Sequence, residues 1–337
     1  MRGAAVHVVL LAALVLAGLV AVSLGSVHLP PGQVWRILAA PLLPVEQDWT
    51  QVRASIVWDS RLPRVVTAVV VGAALALAGG IAQIVTSNPM ADPYLLGVSQ
   101  GAGLAVSLVT VLGFGAGAVG MATLPVAAFA GGLLALLFVL AVAGRSGSVT
   151  TLVLGGLAVG EVAYALTSLV LHAFATGDQA KQVLFWITGG LGAARWELLP
   201  VPAAVLGAGI VAAVAAGRWM NLLHAGDDAA AAMGLHARRF RLLSLVAVSL
   251  LAGTAVAVAG GIVFVGLLVP HAAAFLVGAE ARRMLSVSAV LGALFLVLAD
   301  LAARLVVAPS ELPVGVLTAI VGGPLFLVML RRRRRTA

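Results

Sequence analysis

The stretch LPRVVTAVVVGAALALAGGIAQIV, residues 62–85, decides the fold. After Arg64 it carries no charge, and its only polar side chains are Thr67 and Gln83. A helix crossing the hydrocarbon core of a bilayer needs about 20 mostly apolar residues, and this run supplies them in one piece. Further apolar runs lie on both sides, at 4–27, 93–112, 121–143, 150–172, 197–217, 242–262, 264–279, 285–306 and 314–330, the eighth of the ten interrupted by Pro270. The pattern predicts an all-α polytopic membrane protein of about ten transmembrane helices in one domain spanning 1–337. The first run, Ala4 to Val27, exceeds the roughly 7–15 apolar residues of a secretory signal core and is read as a span.

Composition agrees. Hydrophobic residues make up 62% of the chain and charged residues 9%, against roughly 45–50% and 25% in soluble domains. No soluble core could hide that much apolar surface. The formal charge of +8 is read as topology rather than nucleic-acid binding. With the N-terminus inside, thirteen of the 20 basic residues fall on the cytoplasmic side (Arg2, Arg145, Arg218, Arg238, Arg239, Arg241, Arg282, Arg283 and Arg331 to Arg335). The other seven, Arg36, Arg53, Arg61, Arg64, Lys181, Arg195 and Arg304, fall outside. That bias places both termini in the cytoplasm, and the terminal arginine run anchors to an anionic inner leaflet.

Shifting the chain by 181 positions superposes Gly72 on Gly253, Ala78-Gly79-Gly80-Ile81 on Ala259-Gly260-Gly261-Ile262, and Pro89 on Pro270. Five spans separate the two starts, so an inverted repeat of helices 2–5 (about 61–172) and 7–10 (about 242–330) is expected. Gly72, Ala76 and Gly80, and likewise Gly253, Ala257 and Gly261, would put small residues on one helical face for close backbone packing.

Several chemistries are excluded or disfavoured. Cysteine is absent, which removes disulfides and thiolate ligands. A phosphate-binding loop needs a lysine after glycine, but the only lysine, Lys181, follows Ala180. The six histidines, His7, His28, His172, His224, His236 and His271, form no i, i+4 pair, so no metal site is expected and no cofactor is called for. Driving energy must come from a separate subunit or an ion gradient.

Distinctive blocks recur along nearly the whole chain: Arg61-Leu62-Pro63-Arg64, Ala78 to Gln83, Asn88 to Ser99, Trp186 to Gly192, Asn221-Leu222-Leu223, Gly226 to Ala230, Met233-Gly234, Gly261 to His271, Ala299-Asp300, Arg304, and Glu311 to Gly315 with Gly323 to Phe326. Here the sequence closely resembles the FecCD-type permeases, membrane subunits of type II ATP-binding cassette importers for iron siderophores, haem and vitamin B12. The resemblance implies a ten-helix subunit in the bacterial cytoplasmic membrane. Its implied partners are a second permease subunit, identical or paralogous, two cytoplasmic ATPases, and a periplasmic or lipid-anchored substrate-binding protein. It also implies a subunit with no catalytic residues.

Candidate residues follow in four groups. Arg61, Arg64 and Arg304 gather on the outer side, where the charge rule disfavours them; they either snorkel at helix ends or, as the resemblance implies, receive acidic residues of the binding protein. Asp300 offers Arg304 a local partner. The segment 218–241 contains glycine breaks around a short Ala-rich helix, either a plain connection or the coupling helices the resemblance implies, with Leu223, Gly226, Asp227, Met233 and Gly234 as the ATPase contacts. Ser148 and Thr150 sit between the fourth and fifth spans as a cytoplasmic gate or as ordinary N-cap residues. Glu161, mid-helix, with Tyr164 three residues on, lines a pathway or is hydrogen-bonded between helices. Asp92 with Pro93 reads as a structural cap.

The alternative function is an ion-coupled secondary transporter, which a repeat and Glu161 would also permit. A membrane enzyme finds no nucleophile with a nearby base.

Overall fold

The computed structural model describes every residue except 1, 26–28, 116, 118, 144–148, 224–225, 309 and 334–337. Among the described residues the regular structure is entirely helical: α1 (Arg2–Ser23), α2 (Pro31–Ala39), α3 (Gln51–Ser55), α4 (Leu62–Val85), α5 (Val98–Leu112), α6 (Thr123–Ala143), α7 (Val149–Phe174), α8 (Gly177–Ile187), α9 (Pro200–Leu223), α10 (Asp227–Ala232), α11 (Ala237–Ala259), α12 (Val265–Val277), α13 (Ala281–Leu305) and α14 (Val314–Arg333). Seven helices are long and apolar enough to span a bilayer, and α5, α12 and α14 contain shorter apolar helices. Each of the ten expected runs therefore has its helix, but length and composition support only seven as full spans. The segment before residue 62, read as an outer connection, is largely helical instead. A π-helical turn at Ile56–Arg61 joins α3 to α4, and α2 opens on Pro31, whose fixed φ suits a first helical turn.

Helix α4 is the centre, 89% buried along its apolar length. It packs most extensively on α13 and then on α11, α12 and α9. In lipid there is no hydrophobic drive for helices to associate, so close backbone packing must do that work. An added Cβ on Gly72 would collide with the Gly292 carbonyl oxygen, and one on Gly79 with that of Gly266. The α5–α6 crossing repeats the device, with Gly101 against Gly131. The expected small face of α4 is thus the α13 contact. Its counterpart on α11 is not: a Cβ on Gly253 meets only ordinary side-chain contacts at 3.6 Å, and Gly261 lies beyond the helix end.

The 181-residue offset matches sequence better than conformation. Long, short, long, long helices do recur in α4–α7 and α11–α14. Yet Ala78 to Gln83 are helical, whereas in the matched block the helix stops at Ala259, Gly260 takes φ +67, and Phe264 takes φ +69 before α12 begins.

Pro270 inside α12 removes the N–H that would bond the Gly266 carbonyl. Gln83 of α4 replaces it: its Nε2 donates to the oxygens of Gly266 at 3.3 Å and Leu267 at 3.0 Å. Gly79, one turn earlier, admits that carbonyl to the α4 backbone.

Substituting Gln83→Leu should leave these carbonyls short of a donor and destabilise the protein by about 1–3 kcal/mol, read as a lower melting temperature in detergent. Gly79→Ala should lower it comparably through overpacking, by about 1–3 kcal/mol. Gly207→Ala, with nothing within 4 Å of the new Cβ, should be neutral or stabilising by up to about 1 kcal/mol.

Candidate functional site

At the end of the bundle where α1 stops, the three arginines come together, facing inward. Hydrogen bonds within α1 leave the carbonyls of its last turn without partners. Arg61 Nη1 donates to the oxygens of Val22 and Ser23, both at 2.8 Å. Arg304 donates through Nη1 to Leu24 and through Nη2 to Ala21, both at 3.1 Å. The two residues are 6% and 7% exposed, so neither snorkels. Gly25 leaves room for Arg61: a Cβ there would sit 2.9 Å from its Nη2.

Arg64 forms the outward layer. Its Nε reaches both oxygens of buried Asp300, at 2.9 and 3.1 Å, and its Nη1 reaches both of Glu311, at 3.1 and 2.9 Å. Asp300 also lies 3.1 Å from Arg304 Nε, the expected i, i+4 pair. Glu311 is 41% exposed, so only the Arg64–Glu311 edge of the cluster reaches the surface. Arg61 and Arg304, by contrast, bond to the end of α1.

At the other end, Gly226 takes φ +96 and Gly234 φ +85, conformations that favour glycine. Between them α10, beginning at Asp227, is closed by a Schellman motif. Leu235 N–H donates to the Ala230 oxygen and Gly234 N–H to that of Ala231, both at 2.9 Å, with Leu235 and Ala230 buried together. Met233 projects, 62% exposed, beside a groove of about 540 Å³ lined by Ala231, Leu235, His236, Arg239 and Leu242. Leu223 is 2% exposed, on the inward face of α9.

The residues flanking α10 are pinned. Asn221, at the end of α9, donates from Nδ2 to Glu280 Oε1 at 3.2 Å and accepts from the Ala281 N–H at 2.9 Å. Arg241, at the start of α11, donates from Nε to the Val85 oxygen that ends α4, at 2.8 Å. Burial alone pushes the Glu280 carboxyl up, but the Arg283 N–H, the Asn221 amide, the Arg282 N–H and the Arg283 charge outweigh it, holding the group below its usual value. Asn221 stood in a recognised block without a role. Arg241 looked like one more topological charge, and only the fold reveals its partner.

Glu161 and Tyr164 lie on the exposed face of α7, Tyr164 at 65% exposure. Thr150 is exposed in the helix's first turn; Ser148 lies outside the described residues. Asp92 Oδ1 accepts from the Tyr94 N–H at 2.8 Å, which supports its reading as a cap. Among the described residues no three His, Asp or Glu gather to hold a metal.

A profile of the FecCD transport family matches residues 12–332. An uncharacterized ABC transporter permease protein, YvrB of Bacillus subtilis (strain 168), is 36% identical over 324 residues, 93% of this chain and 90% of that protein. The vitamin B12 import system permease protein BtuC of Citrobacter koseri is 35% identical over 296 residues, 86% and 87% respectively. The inward-facing structure of an ABC transporter assigned to the metal-chelate type superposes with a TM-score of 0.83 at 28% identity, covering 96% of this chain and 97% of that one. PsaBC from Streptococcus pneumoniae shares the fold alone, at 19% identity and TM-score 0.55, over 79% of this chain and 89% of that one.

Arg61→Met should cost about 1–3 kcal/mol, the loss of charged donors to buried carbonyls. Arg304→Met should cost more, about 3–5 kcal/mol, because it also strips one cation from buried Asp300. Arg36→Met, which breaks a half-exposed pair with Asp48, should cost under about 1 kcal/mol. Thermal unfolding in lipid nanodiscs ranks the three, and the reverse order would refute the clamp.

Proposed function

The chain belongs to the FecCD transport family, and from that premise we propose that it passes an iron(III)–siderophore, or else haem or cobalamin, handed over by a substrate-binding protein into the cytoplasm. It is a multi-pass membrane permease subunit of an ATP-binding cassette importer, and ATP hydrolysis belongs to a separate subunit. The further reading is that it pairs with a second permease, identical or paralogous, over two ATPases, in the cytoplasmic membrane of a bacterium with both termini inside.

One observation carries this reading: α10, bounded by two left-handed glycines and presenting Met233, hangs between helices pinned to α13 and α4. A short helix with an exposed, adaptable methionine beside it suits helix-in-groove docking. The ATPase contacts are then Gly226, Asp227, Met233 and Gly234, with Leu223 supporting them from beneath. The binding protein meets the outer Arg64–Glu311 edge, braced by Arg61 and Arg304. The gate lies at Ser148 and Thr150, and Glu161 and Tyr164 line the pathway.

Reconstituted in lipid with candidate nucleotide-binding subunits, the wild-type chain should assemble a transport-stimulated ATPase. A Gly226→Trp, Met233→Glu double variant should lose it, since removing interface hot spots costs about 2 kcal/mol or more, roughly 30-fold in affinity. If no ATPase associates and an ion gradient instead drives uptake that needs Glu161, the chain works as a secondary transporter and this reading fails.

A further inference from the structure

Helix α7 has two exposed flanks of opposite character. One runs through Gly155, Ala158, Val162 and Leu166 and, with α5 and α6, walls a groove of about 530 Å³ that is almost wholly apolar. That flank suits lipid tails. The other follows steps of three or four residues, Thr150, Leu154, Leu157, Glu161, Tyr164, Ser168 and His172, which stacks them in one stripe. It is polar at both ends and at its middle. Thr150, Leu154, Leu157, Glu161, Tyr164 and His172 all lie on the accessible side of the helix, and the His172 ring bonds within its own turn, to the Ser168 carbonyl at 2.8 Å and hydroxyl at 3.5 Å.

Glu161 is the only charged residue of α7. It lies twelve residues from the helix start, about 18 Å at 1.5 Å per residue, too deep to reach either membrane surface. An acid at that depth faces water or a partner rather than lipid. The stripe offers it no lysine or arginine. Beyond its outer end, Lys181 and Asp178 of α8 lie within 3.9 Å of each other and largely cancel.

We propose that Glu161 sets the charge selectivity of the pathway, making the cargo a neutral or cationic metal chelate or corrinoid and disfavouring polyanionic chelates. The inference rests on the pathway reading of α7. In a pore, a fixed carboxylate attracts cations and repels anions over several ångströms. If a second copy supplies its own Glu161, the negative potential at the middle of the passage doubles.

The absence of cysteine makes the test direct, because a single introduced thiol is the chain's only one. Tyr164→Cys and, as a lipid-flank control, Ala158→Cys are expressed as full chains in native membranes with their partner subunits. Each is treated with a cationic trimethylammonium-ethyl or an anionic sulfonatoethyl methanethiosulfonate. Labelling is read as the mass shift of this chain. The Tyr164→Cys thiol should react and the Ala158→Cys thiol should not. Adding Glu161→Gln to Tyr164→Cys should lower the cationic-to-anionic rate ratio by about fivefold or more, the effect of a unit charge about 8 Å away in water. Adding Glu161→Asp instead should preserve the ratio. If the Tyr164→Cys thiol is as inert as that of Ala158→Cys, the face meets lipid and the pathway reading falls, taking the inference with it. If the Tyr164→Cys thiol reacts but its ratio ignores Glu161→Gln, the pathway stands and the selectivity proposal is overturned.

Discussion

The carbonyls of Ala21, Val22, Ser23 and Leu24 stand at the end of a helix in a medium with little water to bond them, and the fold is arranged around meeting that demand. Within a bilayer every backbone polar group must find its partner inside the protein. Arg61 and Arg304 supply these four from separate helices. The positive charge of Arg304 would itself be intolerable at 7% exposure without Asp300, which ties it to Arg64. A single backbone requirement thus recruits three arginines and an aspartate, and joins α1, α4 and α13 at one end. The α12 kink shows the same constraint in neutral form, where Gln83 stands in for the N–H that Pro270 lacks.

This changes the meaning of arginines that the charge rule had read as exceptions. Buried cations hydrogen-bonded to helix C-terminal carbonyls also sit at the favourable end of the helix dipole. Arg61 and Arg304 are therefore explained by architecture before any partner is invoked. Only Arg64 has a share in both worlds, with one side of its fork on buried Asp300 and the other on Glu311 at the surface. An acidic partner arriving there would compete with Glu311, not with the clamp, so docking and helix anchoring need not trade against each other.

The all-α membrane class was legible from residues 62–85 alone, because apolar length and charge scarcity are local properties. Helix positions followed for the same reason. What escaped was set by contacts across the fold. Gly253 matches Gly72 in sequence, but only Gly72 meets a backbone, because close approach depends on what lies opposite. Ala259 to Ile262 repeat Ala78 to Ile81 letter for letter, yet the helix stops at Ala259, where the Gly190 N–H takes its carbonyl. The burial of Leu223 is a matter of helical phase, which its neighbours in the chain do not show. The glycines at 226 and 234 were readable as turns, since their conformational role depends on residue type and not on distant partners. Asn221 and Arg241 had motif or charge but no visible partner until Glu280, Ala281 and Val85 were in place.

The two pinned points decide where a push on α10 goes. Asn221 ties the end of α9 to the start of α13, and Arg241 ties the start of α11 to the end of α4. Helices α4 and α13 are the most extensively packed pair, joined at Gly72 and Gly292 with no space for a side chain between them. Such a contact resists sliding, because close-packed interiors transmit strain instead of absorbing it. Force applied at α10 is therefore delivered to the central block as a whole. Helices α6 and α7, buried along only 28% of their apolar lengths, are attached to that block chiefly through α5 and α11. The stripe that carries Glu161 therefore lies on a sparsely buried helix outside the α4–α13 contact.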